Sequence, residues 1–210
     1  VYKRQLRISV KTRVGVNDAG EWEHLLSIYE KFPMEELIIH PRVQKDFYNN
    51  TPDMEAFLYA VENSRHTLCY NGDICSVEDY RTWRQQMEEK GEWAFMQESG
   101  HQTDPEDTGS LVSHLMLGRG VLKNPGLIGE LTGHAPITKD QFHAFHDDIL
   151  KGYLDVMSGE RNTLFRMKEL WFYFAKYFTE PEKYVKQINK TQHVAEYRAV
   201  SYTHLRAHET

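Results

Sequence analysis

Charged and polar side chains lie within or directly after each of four short apolar runs in the first 120 residues of this chain. The runs span residues 7–14, 36–40, 67–71 and 114–118. Lys11 and Arg13 belong to the first run, and the later runs end in His40-Pro41-Arg42, Asn71-Gly72-Asp73 and Gly118-Arg119-Gly120. In α/β folds and barrels, the carboxyl ends of the strands build the active site. Polar residues at all four ends therefore predict a site there.

Glycine follows the third and the fourth run, at Gly72 and Gly118. Glycine leaves backbone N–H groups accessible, and barrels bind phosphate with the loops after their last two strands and a short extra helix. Residues 121–128, with Pro125 near the first turn, are expected to form that helix. The four runs are then the last four strands of a barrel whose ligand carries a phosphate. The alternative is that both glycines only form turns.

Three basic residues of the first two runs leave their roles open. Lysine inside a strand is costly to bury unless it faces a charge or a polar cavity, and Lys11 lies between Val10 and Thr12. A cation there can stabilise the negative charge of a reduced flavin, whereas on an edge strand it would only add solubility. His40 is either a ligand contact or a core histidine. Arg42 either grips an anionic substrate or caps its loop.

The other metal-ligand and nucleophile residues form no pattern that indicates a site. His143 and His146 are spaced i, i+3 without a third ligand at suitable spacing, so no metal is expected. Cys69 lies in an apolar run and is expected in the core, and Cys75 is expected to be inert. Two cysteines at this spacing predict neither a zinc site nor a disulfide scaffold, which is typical of the cytoplasm.

Helical patterns separate the four runs. Asn17-Asp18, Pro52 and Ser76 precede apolar residues at helical spacing, so a helix is expected after each of the first three strands. Alternation of strands and helices with short connections predicts parallel βαβ units. Four such units form half of a (β/α)₈ barrel or one side of an open sheet.

From about Thr138 the sequence shows helical patterns alone. Thr138 is expected to cap a first helix and Ser158-Gly159 to break it. A second helix is expected over 160–178, and Pro181 opens a third that reaches about 198. We therefore expect a small helical bundle over 135–199, following an α/β part over 1–134 with an atypical acidic insertion at 88–113.

Charge and composition restrict the partners. The net charge of −6 over 210 residues argues against non-specific nucleic-acid binding. Residues 74–113 carry 3 basic and 9 acidic groups, whereas residues 151–198 carry 9 and 6, so an anionic partner at the C-terminal end stays possible. No apolar stretch is long enough to span a membrane. Residues 200–210 lack a helical or strand period and resemble a translated library adaptor, so His204 and His208 are left out of the site.

Five ordered motifs are similar to those of one enzyme family. They are Ser9-Val-Lys-Thr-Arg13, Ile38-Ile-His-Pro-Arg42, Tyr70-Asn-Gly-Asp-Ile74, Met116-Leu-Gly-Arg-Gly-Val121 and Phe165-Arg-Met-Lys-Glu-Leu-Trp171. Over residues 5–190, apart from 88–113, the chain resembles the flavin-dependent tRNA-dihydrouridine synthases. The resemblance implies the C-terminal half of an FMN-binding TIM barrel, followed by a helical tRNA-binding domain.

The resemblance also implies roles for individual residues. Lys11 and His40 would contact the flavin, and Arg13 and Arg42 would face the substrate uridine and the flavin. The phosphate-binding loops would be formed by Asn71, Gly72, Asp73, Gly118 and Arg119. The family's proton-donating cysteine lies upstream of the lysine strand, before residue 1. The chain is therefore expected to be a fragment that is inactive alone, with neither Cys69 nor Cys75 in that role.

The implied activity is reduction of the C5–C6 double bond of uridine in tRNA, with FMN as cofactor and NAD(P)H as reductant. The complete enzyme would be a cytoplasmic monomer without a metal. Basic residues of the helical domain, which are expected to point outward, would hold the tRNA: Arg161, Arg166 and Lys168, extended by Lys176, Lys183, Lys186 and Lys190. Interleaved acidic residues leave a solvated charged face as the alternative reading of that stretch.

Two other functions compete with this one. The first is an FMN barrel of the dihydroorotate dehydrogenase type, which would have no need of the basic helices. The second is a non-catalytic RNA-binding module on a degenerate half barrel. Lys11, His40 and both glycine loops argue against degeneration.

Overall fold

The computed structural model describes residues 6–47, 49–89, 112–177 and 181–206, which belong to two compact units. One unit contains Val1–Ile74 and Glu78–Gly118, and the other contains Cys75–Val77 and Arg119–Thr210. The contacts divide the chain after Gly118 and group residues 119–134 with the second unit. The expected domain boundary at residue 134 stays a prediction.

The first unit is built on four parallel strands. They are β1 (Ser9–Gly15), β2 (Glu36–Val43), β3 (Leu68–Tyr70) and β4 (Val112–Leu115), in the spatial order β1-β2-β3-β4. The expected parallel βαβ arrangement is confirmed. The fourth strand lies earlier than the sequence predicts, because after Leu115 only the N–H of Met116 still bonds to β3, at the carbonyl of Tyr70.

Three helices connect these strands: α1 (Trp22–Tyr29), α2 (Met54–Asn63) and α3 (Val77–Glu89). Asp18 and Glu21 form a capping box on the 3₁₀ turn that leads into α1. The carboxylate of Asp53 accepts from Ala56 N and begins α2. Pro52 therefore precedes the N-cap residue Asp53 and lies outside the first turn of α2. Most of the expected insertion at 88–113 lies outside the described residues.

Alternation along the strands divides the sheet into two different faces. Leu37, Ile39 and Leu68 are fully buried against the three helices, where Phe57 and Trp22 join the same core. Successive strand residues point to opposite faces. The positions between these core residues therefore lie on the other face, which we call the polar face. It carries Lys11, Arg13, Ile38, His40, Arg42 and Cys69.

The second unit is helical. Its helices are α4 (Arg119–Lys123), α5 (Leu127–Leu131), α6 (Lys139–Val156), α7 (Glu160–Phe174), α8 (Pro181–Lys190) and α9 (Val194–Arg206). Thr138 and Gln141 form the capping box of α6, which confirms the expected start of that helix. The break at Ser158-Gly159 is also confirmed. Gly159 has φ of 86°, a left-handed conformation that favours glycine.

Two expectations about these helices are wrong. The single helix over 121–128 is two short helices, because the amide of Asn124 accepts from Gly126 N in a turn between them. The helix from Pro181 ends at Lys190, where the hydroxyl of Thr191 donates to the carbonyl of Ile188. Residues 200–206 are helical, as the last part of α9, although the sequence shows no period there.

The helical unit has its own apolar core, which contains one chain of polar groups. Phe142, Leu150, Met167, Trp171, Phe174, Ile188 and Tyr197 are all buried in it. The indole Nε1 of Trp171 donates to the hydroxyl of Tyr197, and that hydroxyl lies 2.6 Å from Nε2 of His146. Among the described residues, no helix is long and apolar enough to cross a membrane.

Candidate active site

The polar face gathers the candidate residues of the first two strands into adjacent rows. In the sheet register, Lys11 lies opposite Ile38, and Arg13 lies opposite His40. Side chains opposite one another on parallel strands are neighbours on the same face. The structure thus brings Lys11, Arg13 and His40 together, and Asn71 follows directly at the end of β3.

Asn71 connects the lysine to the sheet. The ammonium of Lys11 donates to Oδ1 of Asn71 over 2.6 Å, and Nδ2 of Asn71 donates to the carbonyl of Met116 over 2.7 Å. Partial burial, and then the positive charge of Arg13, lower the pKa of the Lys11 amine from its usual value. The amide therefore fixes the position of the lysine head group. Sequence analysis missed this role of Asn71, for which the only signal was its place at a strand end.

Arg42 donates hydrogen bonds to two neighbouring loops. Its Nη1 donates to Oδ1 of Asp73 over 3.0 Å, and its Nη2 donates to Oδ2 over 2.5 Å, in a bidentate ion pair. Its Nε donates to the carbonyl of Asn50. Only 2% of the Arg42 side chain is exposed, against 37% for Asp73. Of the two roles left open for Arg42, the observed contacts correspond to holding loops, and sequence analysis did not foresee the pair with Asp73.

His40 is buried among positive charges. Its Nε2 lies 3.3 Å from Nη1 of Arg42. Burial, followed by the charges of Arg13, Lys11 and Arg42, lowers the pKa of His40 to about 4, although the carboxylate of Asp73 acts in the opposite direction. His40 is therefore a neutral imidazole near pH 7.

Arg13 orders the chain that follows β2. Its Nη1 donates to the carbonyl of Val43 over 2.8 Å, and its Nη2 donates to the carbonyl of Phe47 over 3.1 Å. Phe47 has φ of 51°, a left-handed conformation that is unusual for a bulky residue, and its side chain is exposed. Arg13 thus binds the backbone of a strained loop beside the site.

The two glycine loops differ in their surroundings. A Cβ on Gly72 would lie 2.0 Å from the hydroxyl of Tyr70, whose ring is buried between Phe57 and Trp83. Packing against the Tyr70 hydroxyl therefore favours glycine at position 72, independently of any role in binding a phosphate. A Cβ on Gly118 would meet nothing within 4 Å, so the backbone there is open. Arg119 is the first residue of α4 and belongs to the helical unit.

The basic residues of the helical unit do not all face solvent. Arg161 is exposed, and Arg166 is exposed but donates to Glu169 over 2.9 Å. Lys168 instead donates to the carbonyls of Asn189 and Thr191, at 3.1 and 2.5 Å. The prediction that all these basic groups point outward is wrong for Lys168, because the last carbonyls of α8 attract the ammonium.

The remaining candidates Cys69 and His146 are buried side chains. Cys69 is buried in β3, as expected, and burial raises the pKa of its thiol to about 12. His146 is buried against Tyr197 and Asp147. Within the described residues, no three His, Cys, Asp or Glu side chains are arranged to hold a metal ion.

A parallel sheet that presents lysine, arginine and histidine at the carboxyl ends of its strands has the architecture of an α/β enzyme. The model of the dihydrouridine synthase (Dus) family matches residues 1–112, and the chain belongs to this family. The family consists of oxidoreductases that make dihydrouridine in tRNA. The match includes the first three strand ends, whereas Gly118 and the part of the helical unit that begins at Arg119 lie beyond it. A search of the curated proteins found no match.

Proposed function

We propose that this chain is the part of a tRNA-dihydrouridine synthase that holds FMN, in an enzyme that reduces the C5–C6 double bond of uridine with NAD(P)H. Membership of the family supports the reaction. The observation that supports FMN as the cofactor is the hydrogen bond between Lys11 and Asn71, beside the neutral His40 on the polar face.

The charges of the polar face suit an anionic cofactor. Lys11 and Arg13 contribute two positive charges at neighbouring positions of one strand. The nearby carboxylate of Asp73 is already paired with Arg42. The net charge at the strand ends is therefore positive, which favours a phosphate group and the negative charge of a reduced flavin. The open backbone at Gly118 adds a place where a phosphate meets no side chain.

In this proposal a bound FMN would supply the hydride chemistry, and the protein would supply binding and electrostatics. Lys11 holds an ammonium against the negative charge that develops on reduction, and Asn71 keeps that ammonium in place. His40 would present a neutral imidazole, which adds no further positive charge beside Lys11 and Arg13. Arg13 keeps the loop after β2 in position.

We also propose that the four strands are the C-terminal half of a (β/α)₈ barrel. In the described part of the chain, β1 and β4 are edge strands, and α1, α2 and α3 pack on the face of the sheet opposite the polar face. A second half barrel would pair both edges and cover the polar face. We therefore expect residues 1–199 alone to be inactive and prone to associate, and a soluble monomer that unfolds cooperatively would contradict this.

The experiment that tests the function uses the complete enzyme containing this chain. An unmodified tRNA transcript is incubated with FMN and NADPH, and dihydrouridine is measured by mass spectrometry. Lys11→Ala is expected to weaken binding of reduced flavin more than of oxidised flavin, and so to lower the flavin midpoint potential. Lys31→Ala, which removes an exposed lysine after α1, is the matched control. Absence of dihydrouridine with the unaltered enzyme refutes the function, and an unchanged potential refutes the role of Lys11.

The helical unit is proposed to hold the tRNA through its exposed basic residues. Arg161 on α7 and Lys186 on α8 are exposed, whereas Lys168 stabilises the end of α8 and is a poor choice for mutation. Phosphate contacts give affinity that falls steeply with salt. Arg161→Glu with Lys186→Glu should weaken tRNA binding and reduce the salt slope by about one per lost contact.

A matched control separates RNA binding from stability. Lys151→Glu changes an exposed lysine on α6, outside the proposed surface, and should leave tRNA binding unchanged. Oxidation of NADPH by an artificial acceptor should survive in all variants, because it needs no tRNA. Equal loss of both activities in Arg161→Glu with Lys186→Glu would mean that these residues support the fold. Oxidation of dihydroorotate without reduction of tRNA would favour the small-molecule dehydrogenase.

A further inference from the structure

We propose that Phe165 and Phe172 on α7 form a stacking platform for unpaired bases, so that the helical unit binds a single-stranded segment of its RNA and not a double-helical one. The inference rests on the proposed function only in taking RNA as the partner. It deepens that function by assigning the part of the RNA that this unit contacts, and by adding two aromatic residues that contact bases.

Both phenylalanines are exposed on a helix that contributes other residues to the core. α7 buries Leu164, Met167 and Trp171 in the core of the helical unit. Phe165 and Phe172 are instead 67% and 58% exposed. Exposing two large aromatic rings on one helix gains the fold nothing, whereas aromatic residues are enriched where proteins bind partners. The two rings therefore indicate an interaction surface.

The spacing places these rings on one line with two basic residues. Arg161, Phe165 and Phe172 are separated by four and seven residues, and such spacings return to the same side of a helix. Lys176 lies four residues further on, and its ammonium is 4.8 Å from the centre of the Phe172 ring. Arg161 and Lys176 are exposed as well. We call these four residues the α7 stripe.

The α7 stripe is positively charged. Arg161 and Lys176 lie at its two ends, each next to one of the rings. Glu169 lies between the rings, but Arg166 donates to its carboxylate over 2.9 Å, so this pair adds no net charge. A nucleotide can stack its base on an aromatic ring and place its phosphate beside a neighbouring cation. The stripe is therefore complementary to RNA in both charge and aromatic character.

The aromatic rings distinguish unpaired from paired RNA. Phe165 and Phe172 lie two turns, about 10 Å, apart along the helix. In a double helix the faces of the bases are covered by their stacked neighbours, so side chains reach only base edges and the backbone. Bases that have left the stack expose their faces and can stack on aromatic side chains. The platform thus fits the unpaired bases of a loop.

A second copy of the chain fits the α7 stripe less well. Two copies packed antiparallel along it would place Arg161 of one beside Lys176 of the other. Parallel copies would place each cation beside its own equivalent. Like charges therefore meet at both ends in either arrangement, which opposes association.

The test measures RNA binding to the complete enzyme by fluorescence anisotropy, without FMN or NADPH. One probe is a short strand of adenine and cytosine that cannot pair with itself, and the other is the duplex that it forms with its complement. Phe165→Leu with Phe172→Leu keeps both positions apolar but removes the rings. This variant should bind the single strand at least about fivefold more weakly per ring, and it should bind the duplex unchanged.

Three further variants serve as controls. Phe32→Leu removes a phenylalanine after α1 that is 59% exposed, and it should change neither affinity. Phe165→Tyr with Phe172→Trp keeps the aromatic faces and should retain the affinity for the single strand. Arg161→Gln with Lys176→Gln should lower the salt slope by about 0.7 per residue, whereas the leucine variant should weaken binding at an unchanged slope.

Two results overturn the inference directly: unchanged binding of the single strand by the leucine variant, or equal weakening of the single strand and the duplex. Self-association of the unaltered enzyme that the leucine variant abolishes, with RNA binding unchanged, would assign the stripe to a second copy. These measurements need no reaction, so they are distinguishable from a failure of the proposed function. Failure to form dihydrouridine refutes the reaction and leaves the role of the two rings standing.

Discussion

The buried hydroxyl of Tyr197 links two polar groups of the helical core, and removing it should destabilise that unit. The indole of Trp171 donates to the hydroxyl over 2.6 Å. The hydroxyl in turn donates to Nε2 of His146 over 2.6 Å, which places the His146 proton on Nδ1, 3.1 Å from the carboxylate of Asp147. Tyr197 and His146 are both completely buried. The substitution Tyr197→Phe breaks this chain at its centre.

The expected magnitude follows from the groups that lose a partner. Phenylalanine fills nearly the same space as tyrosine, so no cavity is created and little apolar burial is lost. The Trp171 N–H and Nε2 of His146 each lose the hydroxyl as a hydrogen-bond partner, and the loss of a partner by a buried polar group costs about 1–3 kcal/mol. With partial relaxation of the indole, we expect Tyr197→Phe to lower the free energy of unfolding by about 3 kcal/mol.

The assay is urea unfolding followed by circular dichroism, with hydrogen exchange of the Trp171 indole proton as a local probe. Tyr153→Phe is the control, because the Tyr153 ring packs against the same core and the described residues give its hydroxyl no hydrogen bond. That variant should change stability by less than 0.5 kcal/mol, about the usual range for a site without a special interaction. The double change Tyr197→Phe with His146→Leu should recover part of the loss, since it removes an unpaired nitrogen. Equal stability of the two tyrosine variants would refute the reasoning.

Three further predictions concern other parts of the chain. Because burial lowers the pKa of His40 to about 4, the unfolded chain binds a proton that the native state does not, so stability should fall as the pH drops from about 6.5 to 4; an NMR titration of His40 with an ordinary midpoint would contradict this. Gly72→Ala should destabilise the sheet and alter the near-UV spectrum, because its Cβ would lie 2.0 Å from the Tyr70 hydroxyl, whereas Gly118→Ala should be nearly neutral; equal urea midpoints would show that the Tyr70 ring yields without cost. Thr138→Ala should lower the free energy of unfolding by about 1 kcal/mol through loss of the capping box, with Thr138→Ser as a near-neutral control in the same urea titration.

Much of the α/β unit could be predicted from the sequence, because burial imposes a periodic pattern. A parallel strand with a covered face must be apolar, and this identified all four strands and their parallel pairing. The polar ends then identified Lys11 and His40 as neighbours at one edge of the sheet, where the structure places them. The ends of the strands were harder to predict where a strand leads directly into a turn, as β4 does after Leu115.

The contacts between side chains could not be predicted in the same way. The pair formed by Arg42 and Asp73 depends on two loops that meet in space, and nothing in the local pattern of either loop indicates its partner. Lys168 was expected on the outside because its helical position is polar, but the carbonyl ends of a second helix lie within its reach. The break between α8 and α9 contains neither glycine nor proline, so no residue type marks it.

The composition of the polar face indicates that function, and not stability, determines which residues lie there. Ile38 lies on the same face as His40 and Arg42, which shows that an apolar side chain fits there. Burying an arginine is costly unless it is paired, and a paired arginine is often no more stabilising than an apolar residue of similar volume. The cluster of Lys11, His40 and Arg42 therefore gains the fold little that apolar residues would not. Replacing Arg42 and Asp73 together by apolar residues should leave the free energy of unfolding, measured in urea, unchanged or raise it, although the site loses its bidentate ion pair.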